Sequence, residues 1–169
     1  MRKRKISIEE RERLDYQAFE NLIELYGNKT TPHKMPQFSS YDCWTEKDQQ
    51  TVAVIELKTR EEYHINSFPT FLLSLKKIDQ LQEGKTLNDA HRAILVAFYP
   101  LDNKTVIFDL SDLKSTDVTV EWRYVYITEY EPEKGKEWQP FAVLNLQQGQ
   151  HKNYSTKIIN QKLGFLLEK

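Results

Sequence analysis

The run Thr-Val-Ala-Val-Ile-Glu-Leu-Lys-Thr, Thr51 to Thr59, constrains this chain more than any other stretch. Val52 to Leu57 is short, apolar and rich in β-branched residues, and the polar Glu46 to Gln50 before it has turn character, so the run predicts a buried strand. Side chains alternate across a strand, which places Val52, Val54, Glu56 and Lys58 on one face and Ala53, Ile55, Leu57 and Thr59 on the other. A row that starts apolar thus ends in a carboxylate and an ammonium. Desolvating these two is costly unless they meet each other, a metal ion or a ligand, so the row marks a candidate site.

Asp42 precedes the strand by a length that lets the chain turn and return antiparallel, which would bring it to face Glu56 across a hairpin. Two carboxylates so close repel unless a hard cation lies between them, and oxygen donors suit magnesium or manganese. A neighbouring lysine supplies the positive charge that a phosphate needs. Asp42, then Glu56-Leu57-Lys58 on a strand, resembles the core motif of the PD-(D/E)xK nuclease superfamily; Ser40-Tyr41 stands where a proline often precedes the first aspartate. The resemblance implies a restriction-endonuclease-like α/β fold, a mixed β-sheet flanked by helices. It implies Mg2+ or Mn2+ held by Asp42, Glu56 and the main-chain carbonyl of Leu57, with Lys58 orienting or helping to deprotonate the attacking water. It also implies a first-helix acid facing the site, for which Asp15 is the geometric choice and Glu12 or Glu20 the alternatives, and DNA-backbone contacts from Lys77 and Arg60.

A chain of 169 residues, 39% hydrophobic and 12% aromatic, fits one globular domain, 1–169, with the motif-bearing core at about 8–110 and family-specific elements at 118–169. The formal net charge of -1 provides no global attraction to nucleic acid, so DNA contacts must come from local basic clusters such as Arg2 to Lys5. A single cysteine, Cys43, excludes an internal disulfide and suits a reducing compartment. The basic start passes straight into Glu9-Glu10-Arg11-Glu12 without an apolar run, and no stretch approaches the roughly 20 apolar residues of a membrane span. A soluble cytoplasmic protein is the expectation.

Ser7 with Glu10 has the spacing of a capping box, and Leu14, Ala18, Leu22 and Leu25 with Phe19, Ile23 and Tyr26 predict a helix ending near Gly27-Asn28. Asp15 falls within its apolar stripe, where it either pairs with Arg11 or serves the site. Thr30 to Ser39 reads as extended or looped. Pro69 is expected to open a second helix, with Phe68, Phe71, Leu72, Leu75 and Ile78 on one face and Gln80 to Gly84 as its end. Strands follow at Ala93–Tyr99, Thr105–Leu110 and Val118–Tyr130, the last with an exposed aromatic row of Trp122, Tyr124 and Tyr126. Glu131 to Gln139 reads as a surface loop, Phe141 to Leu146 as a strand, Gln147 to Asn153 as a polar connection, and Ser155 or Thr156 as the cap of a final helix. The apolar side of that helix packs on the body or on a second copy of the chain, so a homodimer stays open.

Other motifs lead nowhere. Gly84-Lys85-Thr86 lacks the first glycine of a phosphate-binding loop, Asp79 standing there, and His33, His64, His91 and His151 share no zinc spacing with Cys43. Cys43 is expected as a buried thiol beside Asp42. The function these features point to is a magnesium-dependent deoxyribonuclease acting on duplex or branched DNA by structure or without base selection. The alternative is a non-catalytic nucleic-acid- or protein-binding module on the same fold, its charged row a buried ion pair and its aromatic strand a partner surface.

Overall fold

A computed structural model describes residues 7–26, 29–127 and 132–153. Helix α1, Ile8–Tyr26, begins as its sequence predicts, with the Glu10 N–H donating to Ser7 Oγ at 3.2 Å. The Glu10 carboxylate does not complete a reciprocal box; it takes a bidentate bond from Arg13, at 2.7 and 2.8 Å.

Among the described residues the strands form a six-stranded and a three-stranded sheet. The larger runs β1 (Thr31–Lys34), β2 (Cys43–Lys47), β3 (Gln50–Thr59), β5 (Arg92–Tyr99), β6 (Lys104–Asp109), β9 (Gln150–Asn153). The smaller runs β4 (Thr70–Ser74), β8 (Lys136–Asn145), β7 (Val120–Tyr126). β2 and β3 form the expected hairpin, closed by Asp48 and Gln49 with φ of 51° and 64°, the paired left-handed conformation that matches strand twist. β3 and β5 are parallel, which demands a crossover; β4 and helix α2, Leu75–Leu87, supply it.

The alternation on β3 divides the core. Ala53, Ile55 and Leu57 meet Ala18, Phe19 and Leu22 of α1, together with Val96 and Phe98. Val54, on the other face, joins Leu95 and Ala97 against Ile78 and Leu81 of α2 and Phe71, Leu73 and Leu144 of the smaller sheet. The result is the expected mixed α/β architecture, a mixed sheet with a helix on each face.

Several boundaries differ from the sequence expectation. Thr70–Ser74 is a strand, not the start of a helix: Phe71 and Leu73 alternate inward, and the segment pairs antiparallel with β8, Leu72 opposite Val143. α2 starts only at Leu75, where Ser74 Oγ accepts the Lys77 N–H at 3.4 Å. The helix also runs past Gly84, because that glycine is not a stop but a point of close approach. A Cβ there would lie 2.7 Å from Tyr41 Cε1. Gly84→Ala is therefore expected to destabilise the fold by about 1–3 kcal/mol in chemical denaturation, with the ring of Tyr41 forced aside.

Lys136–Gln139, expected as loop, belongs to β8, because Trp138 finds Tyr124 opposite it and Lys136 finds Tyr126. Gln150–Asn153, expected as a plain connection, pairs with β6 as an edge strand. β7 spans Val120–Tyr126, shorter at its start than expected, and residues 128–130 lie outside the described set, as do the basic start and the final helix. No described helix is long and apolar enough to cross a membrane.

Candidate active site

The register that aligns Cys43 with Ile55 brings Asp42, one residue before β2, level with Glu56. The Asp42 N–H donates to the Ile55 carbonyl at 3.0 Å, and its Oδ2 accepts the Leu57 N–H at 2.7 Å. Glu56 is wholly buried, at 0% exposure. Two ammonium groups converge on it: Lys58 Nζ lies 2.6 Å from Oε1 and Lys77 Nζ 2.9 Å from Oε2. Each oxygen of Glu56 thus faces one ammonium, a charge pairing that offsets the cost of burying the carboxylate. Lys77 also donates to the Ser40 carbonyl at 3.1 Å. Asp42, Glu56, Lys58 and Lys77 form one cluster at the C-terminal half of β3.

Burial, and secondly the neighbouring Glu56, push the Asp42 carboxyl up to about 6. Burial alone would pull Lys58 down; Glu56 and Asp42 together outweigh it, and its pKa is raised, so Lys58 is an ammonium at neutral pH. Cys43 is buried as expected, and burial followed by Asp42 lifts its thiol well above the usual range. This removes it as a thiolate nucleophile.

Asp15 projects from α1 to the other face of β3, where the Thr59 hydroxyl donates to its Oδ1 at 2.5 Å. Burial raises it to about 6, against the opposing pull of Thr59 and Lys58. Of the three first-helix acids it is the one bonded to β3; Glu20 is exposed. Arg60 leaves the cluster: its N–H donates to the Phe98 carbonyl at 2.8 Å, and its guanidinium lies 4.3 Å from the centre of the Phe71 ring. Sequence reasoning missed Thr59, the link between Asp15 and the strand, and the Ser40 carbonyl that steadies Lys77. No local pattern announces either.

A carboxyl whose folded pKa is raised keeps its proton when the unfolded chain, with a pKa of about 3.9, has released it. Its effect is therefore to lower folding stability as pH rises from about 4 to the folded value of about 6, and to stay level above. Asp42→Asn removes that dependence. In metal-free buffer the variant is expected to gain about 2 kcal/mol over wild type between pH 4 and pH 7, about 5 °C in Tm. Parallel melting curves in which the difference stays constant with pH would refute the shift at Asp42.

Among the described residues no three His, Cys, Asp or Glu side chains converge as a ready-made metal cage. The donors present are two carboxylates and a backbone oxygen. One residue's N–H and C=O point to the same side of a strand, so the N–H of Leu57 bonded to Asp42 puts the Leu57 carbonyl on the Asp42 side. A wholly buried carboxylate, Glu56, level with a second one, Asp42, whose proton affinity it raises, is the observation that fits a hard cation here.

Beyond the C-terminal ends of β3 and β5 opens a cleft of about 320 Å³, lined by Arg60, Tyr63, His64, Phe68, Tyr99 and Arg123 among others. It lies beside the charged cluster and does not include it. Asp102 pins one wall, bonding His64 Nδ1 at 2.9 Å and accepting the Ile65 N–H at 2.6 Å.

No protein-family model matches the chain, and no curated protein matches it. A solved structure that does is that of Archaeoglobus fulgidus Hjc, a Holliday junction resolvase from an archaeal hyperthermophile, with a TM-score of 0.48 and 16% identity over 85% of this chain and 93% of that one.

Proposed function

We propose that this protein is a divalent-metal-dependent nuclease that hydrolyses DNA phosphodiester bonds, selecting its substrate by structure or without base preference. The observation that carries this is the convergence of Asp42, Lys58 and Lys77 on the buried carboxylate of Glu56, in the motif Asp42…Glu56-Leu57-Lys58 that resembles the PD-(D/E)xK core. Asp42 and Glu56 lie close enough for each charge to act on the other, and a divalent cation between them would relieve that repulsion.

Asp42, Glu56 and the Leu57 carbonyl would hold Mg2+ or Mn2+, which supplies Lewis acidity and neutralises charge developing on the phosphate. Lys58 is an ammonium against Glu56 with 39% of its side chain exposed. It is suited to orient the attacking water, or help to deprotonate it, and to stabilise charge on the pentavalent phosphorus. Lys77 holds Glu56 from the second side, and Asp15 steadies the end of β3 through Thr59.

The test is cleavage of plasmid, linear duplex, single-stranded and branched DNA with magnesium or manganese, wild type against Lys58→Ala. A second reading, a binding module without catalysis, is favoured by one observation: the aromatic row of β7 continues the core face of the smaller sheet, yet Trp122 is 60% exposed and Trp138, opposite Tyr124, is 64% exposed. Metal distinguishes the two. Magnesium should raise the Tm of a nuclease and leave that of a module with a structural ion pair unchanged.

A further inference from the structure

We propose that the cleft beside the charged cluster receives one unpaired nucleotide of the DNA, its base against the rings of Tyr63 and Phe68 and its phosphate toward Arg60, so that the preferred substrate carries an unpaired base next to the scissile bond. This rests on the nuclease reading for the scissile bond, but the cleft stands on its own geometry.

Position comes first. Arg60 is two residues beyond Lys58, and its backbone is tied to β5 through the Phe98 carbonyl, so the cleft begins where the charged row ends. Size comes next: about 320 Å³ is at the small end of ligand pockets, room for a single nucleotide and far too little for a duplex. The walls then define the ligand. Tyr63 and Phe68 stand edge to face at 5.2 Å and remain 45% and 54% exposed, apolar rings set into the opening with solvent on one side. Such rings stack on any base, because every base has a π face.

The charges agree with a nucleotide. Glu121, the carboxylate of the lining, is engaged by Arg123, and Asp102 behind the wall is bonded to His64. Arg60, its guanidinium 4.3 Å from the centre of the Phe71 ring, adds a planar cation of the kind that both stacks and binds phosphate. Asp102, bonded to both His64 and the Ile65 N–H, holds the loop that carries Tyr63, so this wall is already in place without a ligand.

The experiment uses the full chain in chelator, where no cutting occurs, with a single-stranded oligodeoxynucleotide bearing a fluorescent adenine analogue and a duplex of the same sequence. Expected are quenching of the analogue on binding in the single strand and little in the duplex. Phe68→Ala and Tyr63→Ala should each weaken single-strand binding on the order of tenfold and lose the quenching, while Phe68→Trp retains it. Both side chains are about half exposed, and melting temperatures close to wild type will show that the variants fold. Equal binding and quenching by Phe68→Ala and wild type would overturn the proposal, as would equal quenching in the duplex. The two readings separate cleanly. Quenching that depends on Phe68 in a protein that cuts nothing with magnesium keeps the cleft and removes the nuclease; metal-dependent cutting without Phe68-dependent quenching does the reverse.

Discussion

Lys58→Ala is expected to slow metal-supported DNA cleavage by roughly 10²–10³-fold while leaving the protein folded. The neighbouring cations do not take its place: Lys77 is held between Glu56 and the Ser40 carbonyl, and the Arg60 guanidinium lies against Phe71. Loss of one preorganised charge at the point where phosphate charge develops accounts for a reduction of that size. The fold should tolerate the change, because Glu56 keeps Lys77 and the Lys58 side chain already reaches solvent. Lys58→Arg should restore activity only in part, since a planar fork does not reproduce a compact ammonium. Single-turnover cleavage under saturating metal is the measurement, with circular dichroism as the check on folding. A Lys58→Ala protein that cuts at the wild-type rate would remove Lys58 from the site.

The largest stability effect is expected in the double variant Lys58→Ala/Lys77→Ala. Each single change leaves Glu56 one cation. The double change leaves a fully buried carboxylate with none, and an uncompensated buried charge costs about 3–5 kcal/mol. The two substitutions should therefore be non-additive by about 1–3 kcal/mol, the double falling below the sum of the singles in urea denaturation. Magnesium or manganese should then stabilise the double variant more than wild type, because a divalent cation supplies the missing charge without competing against two ammoniums. Additive singles would mean that Glu56 relaxes toward water or takes up a proton. A double variant indifferent to both metals would argue that the carboxylates do not form a cation site, and the binding-module reading would gain.

Much of the geometry of the candidate site was legible along the chain because it is local. β3 announces itself by apolar β-branched residues, and the alternation that puts Glu56 and Lys58 on one face follows from the pleat. Asp42 reaches Glu56 through a hairpin of short span, so its spacing carries real information. Helix α1 was readable from its stripe, and Asp15 from its place within it. Thr70–Ser74 was not, because Phe71, Leu72, Leu75 and Ile78 also satisfy a helical spacing. What makes the segment a strand is pairing with β8, far along the chain. Lys136–Gln139 was read as loop for the same reason: its composition is polar, and its strand character comes from β7 alongside.

Charge is where chain order and space part most clearly. Glu56-Leu57-Lys58 shows which charged groups share a face; it does not show that Lys77 arrives from α2 to hold the second oxygen, or that Asp15 meets Thr59 behind them. Those partners depend on a crossover that carries the chain from β3 through β4 and α2 to β5. The raised carboxyl pKa values and the ammonium state of Lys58 depend on how much water the assembled layers exclude, which no local pattern encodes. The cleft is likewise built from segments distant in sequence. Periodicity and turn chemistry are interactions between near neighbours and survive in the bare sequence; desolvation, strand pairing across the fold and the meeting of charges exist only once the layers have closed.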